Sequence, residues 1–486
     1  MICGGGSHAK ARHNLWGDAK STILLYGQRI RVAVECNVFK GLLTHPATII
    51  VIIAIIFRLV FVPLLTYDYD IYHWAQIIEN FQTGNGLYDI DAYYYTPTWG
   101  YILGFLSAFM DAFLNVGNFG IRFTELLPVE ELVFRFHTAT TTTLAFTACM
   151  KLPLIIIDII TGYLLYRLVH DETGSEKKAT FGLALWLFCP TVIYMSGIQA
   201  QFDSISALLM LLTIILLKND RNFMAGMIFS AGTLLKFFPL FAIVVLASYV
   251  VVKNRPNGTG FKKLMTAIAG AAIIALVLYI PIIVSGDLET SLSFIIGRTG
   301  TQDDTPILRF ILNNIAIILA IMGMVGFGYM MYKSPLEKVD KNLITYSLLA
   351  LTGAMLMSAT PQYMLVLLPI LILVMMRDDG RMRLPWVLFS LGSIISAIST
   401  NSFMLLDGAS AYLGLVSADW ILDLSAAFET KFFNYTLSTI MCSIGQAIEY
   451  LAMLMIFAIL FDRKIGERIP WLASSLKKIK RWDCEQ

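Results

Sequence analysis

The chain has 486 residues, 57% of them hydrophobic and only 14% charged, where an average soluble protein carries roughly a quarter charged residues. That balance excludes a soluble monomer. Lys and Arg number 36 against 34 Asp and Glu, a net charge of +2, so no global basic field argues for a nucleic-acid partner. The six cysteines form no CxxC pair and no cluster with histidines, which removes the usual zinc spacings and a disulfide framework.

Residues 1–46 are polar with scattered Lys and Arg and lack the pattern of a basic patch, an apolar core and a small-residue cleavage site, so no cleaved signal peptide is expected. From residue 47 onward, apolar runs begin near Ala47, Pro97, Thr138, Leu152, Ala179, Asp203, Asn222, Pro239, Leu264, Pro306, Leu343, Gln362, Leu384 and Thr436. A spanning helix needs roughly 20 apolar residues, and some runs are short enough for half-helices or hairpins. The predicted fold is an all-α polytopic membrane protein of about 11–14 transmembrane helices. Residues 118–150, with Arg122, Glu125, Glu130, Glu131, Arg135 and His137 breaking an apolar region, read as a cytoplasmic loop or an amphipathic interfacial helix.

All but Arg58, Arg122, Arg135, Lys151, Lys236, Arg298, Arg309 and Lys431 of the Lys and Arg residues fall in 1–46, 167–178, 218–222, 253–263, 332–342, 377–383 and 462–486. The positive-inside rule makes those segments cytoplasmic. Both termini are then expected inside, with 66–96, 199–203, 286–305, 359–362 and 407–435 facing out. Acidic residues collect in these outer segments: Asp68, Asp70, Asp89, Asp91, Asp203, Asp287, Asp303 and Asp304. The expected organisation is a cytoplasmic segment 1–46, a membrane module 47–384, C-terminal membrane helices 385–461 and a basic cytoplasmic tail 462–486.

The first outer loop, 66–96, places Asp68 and Asp70 directly after the first membrane helix among Tyr67, Tyr69, Tyr72, His73 and Trp74. Desolvation there raises a carboxyl pKa, and a base works best when its pKa approaches the working pH. The plainer alternative is a solvated helix end beside an interfacial aromatic belt.

Asp68-Tyr-Asp70, then Gly86-Leu-Tyr88, then Tyr95-Thr-Pro97 opening the next apolar run, resembles the first luminal loop of GT-C glycosyltransferases. The pattern is similar to that of the mannosyltransferases adding the first mannose of GPI anchors and of their bacterial and archaeal relatives. Lys151-Leu-Pro153, Asp158, Gly162-Tyr-Leu-Leu-Tyr-Arg167, Gln199-Ala-Gln-Phe-Asp203, Lys236-Phe-Phe-Pro239 and Thr360-Pro-Gln-Tyr363 follow in the same order as that group's motifs. The likeness covers roughly residues 66–369. The stretch 118–138 looks longer than its counterpart, and nothing after about residue 384 matches.

The resemblance implies a GT-C-type bundle with short interfacial helices in the first outer loop. It also implies transfer of a sugar, mannose by default, from a polyprenyl-phosphate donor to a lipid-linked or glycan acceptor at the extracytoplasmic face. Asp68 is expected as general base and Asp70 as a residue orienting the acceptor, with no cofactor or metal required. Cations within a membrane are costly and usually mark function, so Lys236, Arg309, Arg298, Lys151 and His73 are candidates to hold the donor phosphate. Lys151 has the alternative of pairing with Asp158 seven residues on, and Arg58 that of pairing with a neighbouring helix. Tyr95, Gln201, Asp203, Gln362 and Tyr363 are expected to line the site. The competing reading is a secondary transporter or lipid flippase using Lys151, Asp158, Asp203 and Lys236 as its pathway; transporters usually show two related halves, and no such repeat is visible.

Overall fold

A computed structural model describes residues 45–89, 93, 95–114, 122–123, 140–292, 307–357, 360–378, 380–401 and 405–468. The helices are α1 (Pro46–Leu64), α2 (Asp68–Gln82), α3 (Pro97–Leu114), α4 (Leu144–Thr173), α5 (Glu176–Leu187), α6 (Asp203–Lys218), α7 (Asn222–Leu235), α8 (Ile243–Lys253) and α9 (Gly260–Ser285). They continue as α10 (Ile307–Tyr332), α11 (Val339–Met355), α12 (Met364–Arg377), α13 (Arg383–Asn401), α14 (Asp407–Ala411), α15 (Ala418–Phe428) and α16 (Leu437–Arg468). Strand is confined, among the described residues, to two-residue antiparallel pairs: β1 (Arg122–Phe123) with β2 (Thr140–Thr141), and β3 (Lys431–Phe432) with β4 (Tyr435–Thr436). This is the all-α polytopic architecture expected. The remainder of 118–139 lies outside the described residues.

The chain divides into two units, Met1–Ile53 and Ala54–Gln486. Of the first, the structure describes the opening turns of α1; the second contains all the elements from α2 onward. Among the described residues, α1, α4, α9 and the Leu437–Phe461 stretch of α16 are each long and apolar enough to cross a membrane. Glu176–Leu187 and Pro190–Ile198, bent by 42°, make a fifth span if taken together. Shorter apolar helices account for many of the remaining runs: Asn222–Leu235, Phe238–Lys253, Ile317–Tyr332, Pro361–Arg377 and Arg383–Ser399.

Helix α12 is apolar on every side, and Met364–Met376 is buried throughout, the signature of a helix sheathed by protein. It packs on α4, α5, α6, α11 and α13. By contrast α9 leaves Ile273, Leu276, Val277, Ile280, Ile283 and Val284 exposed, a surface suited to lipid tails. Helices α7 and α9 cross closely: a Cβ on Gly226 would lie 1.9 Å from the Ala267 carbonyl oxygen, and one on Gly270 2.1 Å from that of Phe223. Small residues at such crossings let backbones approach.

Because α6 and α7 form an antiparallel pair, their ends sort the charged loops. At one end, Lys218 pairs with Glu172 and Lys263 with Asp220, while Lys253 donates to the carbonyls of Leu217 and Lys218. The opposite end gathers the start of α2, the 199–203 turn, the residue after α7, and the Pro361–Tyr363 turn.

Candidate active site

The first loop is tied down as α1 ends. Thr66 N–H donates to the Leu405 carbonyl at 2.8 Å, and Lys151, buried on α4, donates from Nζ to the Leu65 carbonyl at 2.6 Å and to Thr66 Oγ1 at 3.0 Å. The last carbonyls of a helix have no partner within it, so the Lys151 ammonium satisfies one of them. Helix α2 begins two residues later, with Asp68 and Asp70 in its first turn, where the helix dipole favours negative charge.

Asp70 reaches across to the turn before α6: its Oδ2 accepts from Gln201 Nε2 at 2.7 Å. Burial pushes the Asp70 carboxyl up to about 7; the Gln201 hydrogen bond and the charge of Lys236 act to lower it, and Asp203 to raise it. Gln201 is presented by an unusual segment. The chain runs through π-helical Ile193–Ile198 into Ala200, whose φ of 55° is left-handed, and then into Phe202 and Asp203 at the start of α6.

Lys236 follows α7 in extended backbone, and Pro239 shortly after it prevents the helix from simply continuing. Its Nζ lies 3.3 Å from Asp203 Oδ2 and over three rings, 5.1 Å from the centroid of Tyr95, 4.5 Å from Phe202 and 5.2 Å from Tyr363. Cation–π attraction strengthens as water is excluded. The Tyr95 ring is placed by its own loop. Tyr88 Oη donates to the Tyr95 carbonyl at 2.9 Å, Tyr93 Oη to the Thr96 carbonyl at 2.7 Å, and Thr96 Oγ1 to the Leu234 carbonyl at the end of α7. Burial pushes the phenols of Tyr88 and Tyr93 upward, which keeps them as donors. Behind the cage, Phe202 stacks on Trp99 at 4.3 Å and meets Trp74 edge-on at 5.8 Å.

Six of the residues singled out in the sequence therefore come together: Asp70, Gln201, Asp203, Lys236, Tyr95 and Tyr363. Gln362 is half-buried in the same short turn as Tyr363. His73 is buried one turn beyond Asp70, its ring 5.2 Å from that of Trp74. Asp68 and Arg309 have their backbones in α2 and α10, but their side chains lie outside the described residues, as does the whole of Arg298.

Lys151 and Asp158, weighed as a pair, make their described contacts with other elements. Seven residues of helix separate those two by about 10 Å along the axis. Asp158 Oδ2 instead pairs with Arg58 Nε at 3.4 Å and accepts from Ser196 Oγ, so Arg58 makes the cross-helix pair that its position in α1 suggested. Phe202, Trp74 and Trp99 were not singled out as site residues. Phe202 was nevertheless visible inside the Gln-Phe-Asp motif, next to two residues that were.

Residues 132–358 match glycosyltransferase family 87, a stretch that holds Gln201, Asp203 and Lys236. The chain is also similar to GPI mannosyltransferase 1 of Saccharomyces cerevisiae, 25% identical over 108 residues. That alignment spans 22% of this chain and 26% of the relative. Together the matches support a membrane glycosyltransferase family of GT-C type.

Proposed function

We propose that this chain is a membrane glycosyltransferase of GT-C type that transfers a sugar, mannose by default, from a polyprenyl-phosphate donor to a hydroxyl of a lipid-linked or glycan acceptor. The reaction takes place at the extracytoplasmic face, with both termini in the cytoplasm. The observation that carries the reading is the juxtaposition of the Asp70 carboxyl, near 7, with the caged Lys236. The sorting of basic loops to the far end of α6 and α7 supports the sidedness. A donor delivered on a lipid fits a protein whose lateral surface is apolar and whose site lies at one end of its helices.

The Gln201 hydrogen bond and the raised carboxyl of Asp70 support it as general base, while Asp68, the expected base, has its side chain outside the described residues. The acceptor oxygen attacks the anomeric carbon as its proton passes to Asp70, and the carbon–oxygen bond to phosphate breaks with the electron pair leaving on the polyprenyl phosphate. A single displacement inverts the anomeric centre. Lys236 offsets the charge growing on the leaving phosphate, where a preorganised cation acts most strongly in a site with little water. Arg309, Arg298, Lys151 and His73 are proposed to share that task, Lys151 also fixing the start of the loop, and Gln362 with Tyr363 to bound the sugar pocket.

Incubating the purified protein in lipid nanodiscs with a panel of synthetic polyprenyl-phosphate sugars tests the reading. Consumption of one donor with release of polyprenyl phosphate supports it. Movement of intact donor across the bilayer without cleavage would replace it with the flippase reading.

A further inference from the structure

Directly beneath the turn that presents Gln201 lies a buried polar network that the chemistry above does not use. Arg58, Asp158 and Ser196 are each fully buried. Asp158 Oδ2 lies 3.4 Å from Arg58 Nε and accepts from Ser196 Oγ, which is also 2.8 Å from the Val192 carbonyl. The same residue's backbone carbonyl accepts from Trp186 Nε1 at 2.9 Å. Arg58 Nη1 and Nη2 and Asp158 Oδ1 have no hydrogen-bond partner among the described residues, so the network tolerates an incomplete set of bonds within an apolar interior, where such groups are costly. Stability alone is a poor reason to keep it.

What the network grips is the π-helical segment. Ser196 sits in Ile193–Ile198, and the amides that follow reach back over long turns: Gln199 N–H donates to the Tyr194 carbonyl at 2.9 Å and Gln201 N–H to that of Met195 at 2.8 Å. Between them Ala200 takes a left-handed φ of 55°, which a non-glycine residue holds only when its surroundings over-determine it. The next side chain is the one bonded to Asp70. We propose that Ser196, held by the Arg58–Asp158 pair, is a positioning residue that locks the π-helical turn so that Gln201 meets the Asp70 carboxylate. This rests on the reading of Asp70 as the base.

Among the described side chains, the charged groups around Asp70 are Lys236 and Asp203, with His73 one turn on along its own helix and Lys151 on the adjoining α4; that of Asp68, two residues before it, lies outside them. Ser196→Ala alters none of them. The test is the pH dependence of single-turnover transfer, measured for wild type, Ser196→Ala, Gln201→Ala and the double variant with the same donor. The Gln201 bond stabilises the carboxylate, so loosening it should move the rising limb of the profile to higher pH, by about half a unit to one unit for a bond of ordinary strength. KM for the donor should stay unchanged, and the double variant should shift no further than Gln201→Ala alone. A purely structural role predicts a lower melting temperature with the midpoint at its wild-type value, and that result overturns the proposal. Asp70→Asn separates the two ideas. If it retains the limb, the assignment of the base fails, and the positioning proposal then stands on non-additive rate losses at Ser196 and Gln201; additive losses overturn it.

Discussion

Asp203 and Lys236 form an ion pair at 3.3 Å with side chains 0% and 6% exposed, while Lys263 and Asp220, by the other end of α6 and α7, pair at the same 3.3 Å with 33% and 48% exposure. Equal distance conceals unequal meaning. The exposed pair is hydrated and screened by salt, and such pairs contribute about 0–1 kcal/mol. The buried pair has lost its water, and rings surround the cation. Ionisable groups kept inside a membrane protein usually mark function. One end of the helix pair thus uses charge to fasten loops, and the other buries it beside Asp70, where the proposed reaction would draw on it.

The sharpest contrast should come from the carboxylates. Asp70→Asn keeps the shape and the contact with Gln201 but removes the base, and rates of transfer should fall by about 10²- to 10⁴-fold. Asp68→Asn should cost less; were Asp68→Asn the inactive variant and Asp70→Asn active, the two roles would be exchanged.

A smaller loss is expected from the cations. Lys236→Met should lower single-turnover rate by about two to three orders of magnitude, since removing one preorganised electrostatic contact costs roughly 3–4 kcal/mol. Lys236→Arg should recover part of it by restoring charge without the geometry. A well-folded Lys236→Met protein of near-normal turnover would remove the lysine from the site.

The pH dependence separates the neighbours of Asp70 by sign. A base titrating near 7 gives a rate that rises with pH through that value. Asp203 raises Asp70, so Asp203→Asn should move the midpoint down, whereas loss of the Lys236 charge should move it up. Rate profiles from pH 5 to about 9 check both directions. Shifts of the same sign would contradict the assignment.

The least effect belongs to the far end. Asp220 has a φ of 58°, a conformation that Asn tolerates, so Asp220→Asn should fold normally. It should change stability by less than about 1 kcal/mol, with a difference that shrinks in salt, and leave turnover alone. Thermal melts at two ionic strengths measure it.

The amino-acid sequence exposes one half of the site more readily than the other. Asp70, Gln201, Asp203 and Lys236 stand out as polar residues at the edges of apolar runs, where the cost of burial makes them conspicuous, and their motifs follow a recognisable order. The Arg58–Asp158 pair was half visible, as an arginine needing some neighbouring helix, but its partner lies 100 residues away. Helices that face lipid are as apolar outside as in, so hydrophobic periodicity does not say which of them touch. For the same reason the contacts of Lys151 with the Leu65 carbonyl and the Thr66 hydroxyl just past α1 were not legible in the sequence. The π-helical turn gave no compositional sign, because its residues are ordinary apolar ones whose backbone is set by what packs around them.

The central claim is that the Asp70 end of the bundle is where a lipid-phosphate sugar is cleaved. Single-turnover cleavage of a synthetic polyprenyl-phosphate mannose, with donor binding measured on the same nanodisc preparations, tests it most directly. Wild type and Asp220→Asn should release polyprenyl phosphate at matching rates, while Asp70→Asn should bind donor and leave it intact. Equal cleavage by Asp70→Asn and wild type would contradict the claim.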